Sequence, residues 1–556
     1  MTISAAPTEL ETDRREAALE VLAAVPAWWA RRARLVGLPS EWRSWKRAFP
    51  RPPIELPDRE GEGLTSASGH ALGEAYACAL SQTERFAHGR HYTPKALADA
   101  LWIEIERTRL EVRPEVAVDP ACGAGALLLR PVRRFVAARQ DTPPAHALTE
   151  AAERFAGVDN DPLAVWLGNA ILAAELLPLW ARLPERDRRL LPQLLSVGDG
   201  LDVQPATAGM VVMNPPFGRA ALEPERRERW NRSLYGHANW YGVFLHAAVE
   251  RAASGGIIGA ILPTSFLGGA YYQRLRSLLA EEAPLARLRL IDDRSGVFAS
   301  GVLQETCLAV FHKGEMAPDV VCSAQSVNGR VQSVRLGRAS IDRTSPDLPW
   351  LLPRSPQDNA LIGAVARHPC RLRDFGWTAS TGPLVWNRHK PQIGAEKRDG
   401  ALPIVWAADV EIDRIRRSAS RDRQRWINLR AKDEFMRFTE PAVLVQRTTA
   451  PEQPRRLVAA ALTAGALRDD WGGAVVVENH VNVLRCAIAD SPLTAELLTA
   501  LLNTQTFDRL YRCMTGTVAV SAYELEALPL PAAEVLATWA ALPEHELAAA
   551  VATTFG

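Results

Sequence analysis

The sequence has no cysteine pair of the C-x-x-C type. Its seven cysteines are scattered and odd in number, which argues against a zinc ribbon and against a disulfide framework. They are Cys78, Cys122, Cys307, Cys322, Cys370, Cys486 and Cys513. This use of cysteine fits a reducing compartment, so we predict a cytoplasmic protein.

Long apolar runs are also missing. The most apolar stretch, residues 257–267, is short and is interrupted by Pro263. Near the N-terminus, Glu9, Glu11 and Asp13 stand where a signal peptide would carry positive charge. The sequence therefore predicts neither a membrane segment nor a secretion signal.

An excess of charge of one sign is lacking, because the net charge is +1. This excludes a uniformly basic protein but allows a local basic surface.

No G-x-x-x-x-G-K-[ST] loop is present, so a nucleoside triphosphate is not implied. Nor is there a convincing nuclease motif of an acidic pair followed by E-x-K, since Asp58, Glu60 and Glu62 lack the lysine. Any DNA cleavage is expected to belong to a separate protein.

The 556 residues are too many for one core and predict about three domains. Residues 1–80 combine a helical pattern with a proline-rich linker, and residues 81–315 alternate short apolar runs with helical patterns. Residues 316–365 are polar and dotted with prolines, which is typical of a junction. Residues 366–556 contain further strand patterns at 402–406, 442–446, 474–477 and 481–484.

The most informative stretch is Asn214-Pro215-Pro216-Phe217, which ends the apolar run of residues 209–213. The Asn214 side-chain oxygen and the backbone carbonyl of Pro215 are two acceptors held close together. They can take both protons of a planar NH2 group and so direct its lone pair at an electrophile, while Phe217 offers a stacking face. The alternative is an ordinary turn after a strand.

Three earlier strand patterns end in the same manner, with Asp119, Asp159 and Asp199. In a doubly wound α/β sheet the carboxyl ends of the parallel strands face one crevice. The loop after the first strand is rich in small residues: Ala121, Cys122, Gly123 and Gly125. It does not match G-x-G-x-x-G, and Asp119 would repel a pyrophosphate, so a cationic or zwitterionic ligand is expected. Asp161 is expected to cap the helix that starts near Pro162.

In this order, the segment Tyr92-Thr93-Pro94, the Asp119 loop, Asp159, Asp199 and the Asn214 tetrapeptide resemble the motifs of the gamma-class N6-adenine DNA methyltransferases of restriction-modification systems, TaqI-like enzymes included. The resemblance implies a mostly parallel seven-stranded class I methyltransferase sheet, followed by an α+β target-recognition domain. It further implies that the protein methylates an adenine flipped out of double-stranded DNA.

The resemblance also assigns roles to residues. S-adenosyl-L-methionine would be bound by Tyr92, Thr93, Pro94, Asp119, Ala121, Cys122, Gly123, Gly125, Asp159, Asp199 and Asn214. The flipped adenine would be held by Asn214, Pro215, Pro216 and Phe217, with Phe298 stacking on it. Phe217 departs from the tyrosine of many relatives, which keeps the stacking face and loses a hydroxyl. No metal is required.

Other substrates stay open at this point. The Asn-Pro-Pro-aromatic motif also occurs in methyltransferases of ribosomal RNA and of a protein glutamine, and a non-catalytic DNA-binding subunit of a defence complex is a further alternative. The segment at residues 92–94 and the large C-terminal region favour DNA. A restriction endonuclease or another defence-system subunit is a candidate partner.

For residues 414–432 the sequence predicts either a phosphate-binding surface or a solvated helix, since the cations alternate with acids. The cations are Arg414, Arg416, Arg417, Arg421, Arg423, Arg425, Arg430 and Lys432. Asn387, Arg388, Gln446 and Arg447 are candidates for reading bases. A Thr93 cap on a helix opened by Pro94 is the remaining local expectation.

Overall fold

The computed structural model describes residues 17–39, 41, 45–56, 63–80, 92–108, 116–202, 208–291, 305–314, 319–326, 332–449, 453–514 and 519–556. By internal contacts the chain divides into two compact units. The first comprises residues 1–263 and 274–334, and the second comprises residues 264–273 and 335–556. The predicted boundaries after residues 80, 315 and 365 stay predictions.

A nine-stranded mixed sheet organises the first unit, in the order β3-β2-β1-β4-β5-β7-β6-β8-β9. The strands are β1 (Ala117–Asp119), β2 (Phe155–Asp159), β3 (Leu195–Val197), β4 (Ala208–Met213), β5 (Ala252–Pro263), β6 (Leu285–Ile291), β7 (Thr306–His312), β8 (Val320–Ser326) and β9 (Gln332–Ala339). β1 to β5 pair in parallel, whereas β7 is antiparallel to both β5 and β6. The strand order reverses at β1 and β4, which opens a crevice at their carboxyl ends.

The sequence predicts seven strands in this sheet, and the structure has nine. β8 and β9 lie in the stretch expected to be a junction, and β9 continues past residue 334 into the second unit. The prolines that suggested a junction, Pro346, Pro349, Pro353 and Pro356, all follow β9. β8 has buried residues at Val320, Cys322 and Ala324 and pairs in parallel with β6, so sheet pairing fixes its conformation.

The helices between residues 25 and 282 lie almost entirely in the first unit, together with the sheet. They are α1 (Val25–Leu35), α2 (Gly69–Ala79), α3 (Lys95–Glu106), α4 (Leu129–Ala138), α5 (Pro144–Arg154), α6 (Pro162–Ala181), α7 (Pro224–Arg229), α8 (Trp240–Arg251), α9 (Ser265–Gly268) and α10 (Gln273–Glu282). α9 belongs to the second unit. On α3, the fully buried Glu104 forms ion pairs with Arg287, at 2.6 Å, and with Arg289, both on β6, and these pairs hold α3 against the sheet.

α6 illustrates how one residue starts a helix. Asp161 Oδ1 accepts hydrogen bonds from the N–H groups of Leu163, at 3.0 Å, and Ala164, at 3.3 Å, which confirms the predicted cap. Among the described helices, α6 is long and apolar enough to cross a membrane, but 83% of its apolar window is buried inside the protein. It is apolar because it packs on several sides within the core.

The tryptophans near the N-terminus pack into this same core. Trp29 is fully buried and donates from Nε1 to the carbonyl of Ala170 on α6, at 2.7 Å. Trp166, also on α6, donates to the carbonyl of Pro50, at 3.1 Å. The described N-terminal residues therefore brace α6 from outside the sheet.

The second unit contains three small sheets, ordered β10-β20-β17-β18, β11-β15-β12-β19-β16 and β13-β14. Their strands are β10 (Trp377–Thr381), β11 (Ile393–Gly394), β12 (Leu402–Val405), β13 (Val410–Glu411), β14 (Arg414–Ile415), β15 (Trp426–Ile427), β16 (Arg437–Phe438), β17 (Ala442–Gln446), β18 (Ala459–Leu462), β19 (Val475–Val477) and β20 (Val481–Cys486). Its other helices are α11 (Asp358–Val365), α12 (Ala464–Asp469), α13 (Ala495–Leu502), α14 (Gln505–Met514), α15 (Ala522–Glu526), α16 (Ala533–Ala540) and α17 (Glu544–Phe555). The four strands predicted from the sequence in this region are β12, β17, β19 and β20.

Candidate active site

A pocket opens at the carboxyl ends of β1, β2, β3 and β4 and encloses about 800 Å³ of empty space, including its mouth. In open α/β sheets, small molecules bind in the crevice at these strand ends. Of the residues predicted for the site, Tyr92, Ala121, Gly123, Asp159, Asp199, Asn214 and Pro216 line the pocket. Tyr76, Gly73 and Phe244 also line it and were not predicted, because an apolar position on a helix carries no sign of a site.

The loop after β1 is shaped by its glycines. Gly123 and Gly125 have φ angles of 49° and 78°, which side chains other than glycine rarely adopt. Gly125 lies below the pocket against Leu172 and Leu195. Cys122 is buried and faces Gly157 of β2, so the structure does not bring its thiol to the pocket.

Asp119, at the end of β1, is 1% exposed and directly precedes Pro120 and Ala121, which line the pocket. Burial raises the pKa of Asp119 to about 8, although the N–H of Ala121 donates to Oδ1 at 3.0 Å and lowers it. The carboxylate of Asp159 raises the pKa of Asp119 further. A cation at this position would relieve the cost of burying the charge.

Both carboxylate oxygens of Asp159 accept hydrogen bonds from backbone N–H groups. Its Oδ2 accepts from the N–H of Gly123, at 2.8 Å, and its Oδ1 accepts from the N–H of Asp161, at 3.0 Å. The second strand end is thereby tied to the loop of the first. Tyr76 completes this wall, since its hydroxyl donates to Asp161 Oδ2 at 3.0 Å.

The carboxylate of Asp199 forms an ion pair with Arg226, a residue that was not predicted to belong to the site. Its Oδ1 accepts from the N–H of Leu201, at 2.9 Å, and its Oδ2 forms an ion pair with Arg226 of α7. Arg226 also contacts Asp202, at 3.2 Å, and its pKa is raised mainly by the hydrogen bond to Asp199. No spacing in the sequence connects Arg226 with Asp199, because the chain passes through β4 between them.

Asn214 follows β4 directly and is half-buried at the pocket. Its Nδ2 donates to Thr93 Oγ1 at 3.0 Å, which turns the side-chain oxygen the other way. Within the described residues, neither Asn214 Oδ1 nor the carbonyl of Pro215 accepts a hydrogen bond. Neither acceptor is therefore used within the described residues. Asn214 lines the pocket, and Pro215, which is buried, lies between the pocket-lining Asn214 and Pro216.

The prediction that Thr93 caps α3 is wrong. α3 begins at Lys95 with Pro94 in the N-cap position, and no side chain caps it. The Thr93 hydroxyl is buried and accepts from Asn214 instead. Thr93 and Pro94 thus lie behind the pocket, and their segment orients the amide.

Phe217 and Tyr92 are each held in place by a neighbouring ring. Phe217 packs edge-to-face with the buried Tyr241 of α8, with ring centroids 6.2 Å apart. The hydroxyl of Tyr92 lies 3.2 Å from His70 Nδ1, and burial raises the pKa of this hydroxyl well above its usual range. Burial also lowers the pKa of His70 to about 4, so the imidazole is neutral near pH 7. Phe298 lies outside the described residues.

Comparison with known proteins places these features in a family context. Residues 209–298 match the family model described as Eco57I restriction-modification methylase. The chain is 27% identical over 337 residues to the type II methyltransferase M.PstI of Providencia stuartii, and 25% identical over 339 residues to the type II methyltransferase M.BsuBI of Bacillus subtilis. Each alignment covers 58% of this chain and 65% of the relative, which is just under two thirds of its length.

One solved structure resembles the fold over most of the chain. It is the type IIL restriction-modification enzyme MmeI in complex with DNA, with a TM-score of 0.50, 13% sequence identity, and coverage of 88% of this chain and 78% of that chain. At this identity the likeness concerns the fold alone. Together, the sequence comparisons confirm the predicted resemblance to the methyltransferases of restriction-modification systems.

Proposed function

We propose that this chain, a relative of the methyltransferases of restriction-modification systems, transfers a methyl group from S-adenosyl-L-methionine to the N6 amine of an adenine flipped out of duplex DNA. The observation that carries the proposal is the pair of acceptors, Asn214 Oδ1 and the Pro215 carbonyl, unused within the described residues, beside a pocket walled by carboxylates. We also infer that β1 to β7 form the class I methyltransferase sheet, which β8 and β9 extend.

The residues around the pocket fit this cofactor. Asp119 is buried and needs a positive partner, which the sulfonium and amino groups can supply. Asp159 and Asp199 offer acceptors for ribose hydroxyls and for the adenine amine, and the loop at Gly123 lets a ligand approach the backbone. When bound, the cofactor supplies an electrophilic methyl group.

The chain's own residues prepare the nitrogen that attacks. Asn214 Oδ1 and the Pro215 carbonyl accept hydrogen bonds from the two N–H groups of the target amine, so its lone pair leaves conjugation and points outward. After the transfer the methylated nitrogen releases one proton to solvent. Pro216 keeps the turn rigid, and Phe217 provides a stacking face whose orientation Tyr241 fixes. Phe298 as the second stacking residue stays a prediction.

The decisive experiment offers the protein three substrates. Purified protein is incubated with radiolabelled S-adenosylmethionine and with unmethylated genomic DNA, ribosomal RNA or total protein, and the labelled nucleic acid is digested to nucleosides. Label in N6-methyladenine from DNA is the expected result. Label in RNA or protein would overturn the proposed substrate, and no label in any of them would favour a non-catalytic subunit.

Thr93 is expected to position Asn214. Thr93→Val removes the acceptor at 3.0 Å and leaves the amide free to rotate, so we expect kcat to fall by roughly tenfold to a hundredfold with little change in cofactor affinity. Thr93→Ser keeps the hydroxyl and should restore most of kcat. Single-turnover transfer measures the effect, and equal rates for the valine and serine variants would contradict it.

The cations of residues 414–432, which are candidates for DNA binding, fall into two groups. Some have a partner within the protein, and others are exposed and form no ion pair within the described part of the chain. Arg414 and Arg416 pair with Glu411 at 2.6 and 2.9 Å, and the buried Arg425 pairs with Asp409 at 2.9 Å. Arg417 donates to the carbonyl of Asp470, and Arg421 lies 4.7 Å from the centre of the Trp406 ring. The solvated-helix alternative is wrong, because the stretch consists of short strands and 3-10 turns. Arg423, Arg430 and Lys432 are exposed and make no ion pair with any described residue.

The unpaired cations are proposed to hold DNA phosphates. Replacing Arg430 and Lys432 together with alanine should lower the slope of log K against log salt by about 2, because each phosphate contact contributes about 0.9. Arg414 and Arg416 are a matched control, since their replacement removes the same charge from an internal pair. Fluorescence anisotropy with labelled duplex at several salt concentrations gives both slopes, and equal slopes for the two double variants would contradict the assignment.

Gln446 and Arg447 are not proposed to read bases. Gln446 donates from Nε2 to the carbonyls of Ala407, at 3.1 Å, and Val410, at 2.7 Å, and Arg447 donates to the carbonyl of Asn479, at 3.0 Å. Asn387 and Arg388 have exposed side chains and stay candidates.

A further inference from the structure

The side chain of Phe435 is an apolar ring exposed to solvent on the surface of the second unit. It exposes 70% of its surface, whereas the next residue, Met436, is 4% exposed and belongs to a core cluster. Both residues lie on the 3-10 helix Ala431–Met436. The burial of Met436 anchors this turn and leaves the Phe435 ring projecting outward.

The backbone around Phe435 is fixed by a hydrogen-bonded network. Gln392 donates from Nε2 to the carbonyl of Asn428, at 3.0 Å, and to Asp433 Oδ2, at 3.2 Å. Gln392 Oε1 lies 3.0 Å from His389 Nδ1, and Asp433 is 5% exposed. This network joins residues 386–392 to the turn that carries Phe435, so the two segments are adjacent in space.

The exposed side chains of the two segments include four cations, an amide and the Phe435 ring. They are Asn387, Arg388 and Lys390 on the first segment, and Arg430, Lys432 and Phe435 on the second; we call this set the Phe435 surface. The two acids of the Phe435 turn are both engaged, since Asp433 lies in the network and Glu434 pairs with Arg437 at 2.7 Å. Among the described residues, Arg388, Arg430 and Lys432 form no ion pair.

We propose that the Phe435 surface binds duplex DNA, with the Phe435 ring inserted against the bases and the surrounding cations on the phosphates. The proposal rests on the proposed function, because it states where the DNA substrate is held. An apolar side chain that projects among cations is suited to wedge between base steps, since the ring gains stacking while the cations neutralise the backbone. Asn387 adds an amide of the kind that reads adenine edges. The cationic rim favours a polyanion over a protein partner.

The test replaces Phe435 with alanine and compares Ile488→Ala, which removes another half-exposed apolar side chain of the second unit. We expect Phe435→Ala to raise Kd for labelled random-sequence duplex about tenfold, with the salt slope unchanged, because stacking is lost and no phosphate contact is removed. Phe435→Trp should keep the affinity. Ile488→Ala should match the wild type, and unfolding midpoints of all variants should agree.

Two further measurements distinguish the possible failures. If the wild type methylates genomic DNA but Phe435→Ala keeps its Kd and its KM for DNA, the inference about the Phe435 surface is overturned and the proposed function stands. If the wild type transfers no label to DNA, the proposed function itself fails. A change in molecular mass by light scattering in Phe435→Ala, with unchanged Kd for DNA, would identify a protein interface instead and would also overturn the inference.

Discussion

Asn214→Ala is expected to lower methyl transfer to DNA by at least about a hundredfold while leaving cofactor affinity nearly unchanged. The substitution removes Oδ1, one of the two acceptors at the end of β4, and leaves the target amine conjugated and poorly nucleophilic. The carboxylates that would hold the cofactor lie on β1, β2 and β3 and are not touched by it. Single-turnover transfer and calorimetric titration with S-adenosylmethionine measure the two effects separately.

Asn231→Ala serves as the matched control for this variant. Asn231 is an exposed asparagine of the same unit that donates to Glu228 at 2.7 Å and does not line the pocket. Its replacement should leave transfer at the wild-type rate. Near-normal turnover in Asn214→Ala would refute the amine-holding role, and loss of cofactor binding would show that the variant is disturbed more widely.

Asp119→Asn is expected to have opposite effects on cofactor affinity and on the stability of the free protein. Removing a buried carboxyl that can ionise beside a bound cation should weaken S-adenosylmethionine binding by roughly thirtyfold or more. The same change should stabilise the free protein at pH 8 to 9, because the cost of ionising a buried carboxyl disappears. The asparagine still accepts from the N–H of Ala121 and keeps the loop in place.

The raised pKa of Asp119 determines whether its ionisation raises or lowers the free energy of unfolding as pH increases. In the folded protein the pKa of Asp119 is about 8, above its ordinary value of 3.8, so the folded state holds this proton more tightly than the unfolded chain. This contribution to the free energy of unfolding is fully present below about pH 4 and is lost as pH rises toward 8. Binding of a cationic ligand displaces the proton, so cofactor affinity should rise as pH increases toward 8.

Denaturant unfolding at pH 5, 7 and 9 without cofactor tests this prediction. Asp119→Asn should unfold with a shallower fall in stability between pH 5 and 9 than the wild type. The control is Asp141→Asn, which replaces an exposed carboxylate of the same unit and should not change the slope. A parallel pH profile for wild type and Asp119→Asn would contradict the raised pKa.

Local patterns predicted the strands that deliver the site. β1 to β4 fall where apolar runs end in polar residues, and Asp161 caps α6 as its spacing before Pro162 indicates. These features depend only on residues a few positions apart, so they can be predicted from the sequence alone. Propensity could not predict β8 and β9, because pairing within the sheet rather than local pattern makes residues 320–326 and 332–339 extended.

What the sequence alone determined is the series of strand ends, with Asp119, Asp159, Asp199 and Asn214 in order, and the resemblance that this order carries. Only the tertiary structure decided what those side chains contact. Thr93 accepts from Asn214 across 121 positions of sequence, and Arg226 holds Asp199. Arg414 and Arg416 pair with Glu411, whereas Arg430 and Lys432 pair with no acid in the part of the chain that the structure describes. Side-chain partners are chosen by proximity in space, and one sequence records the residue types without recording which of them meet.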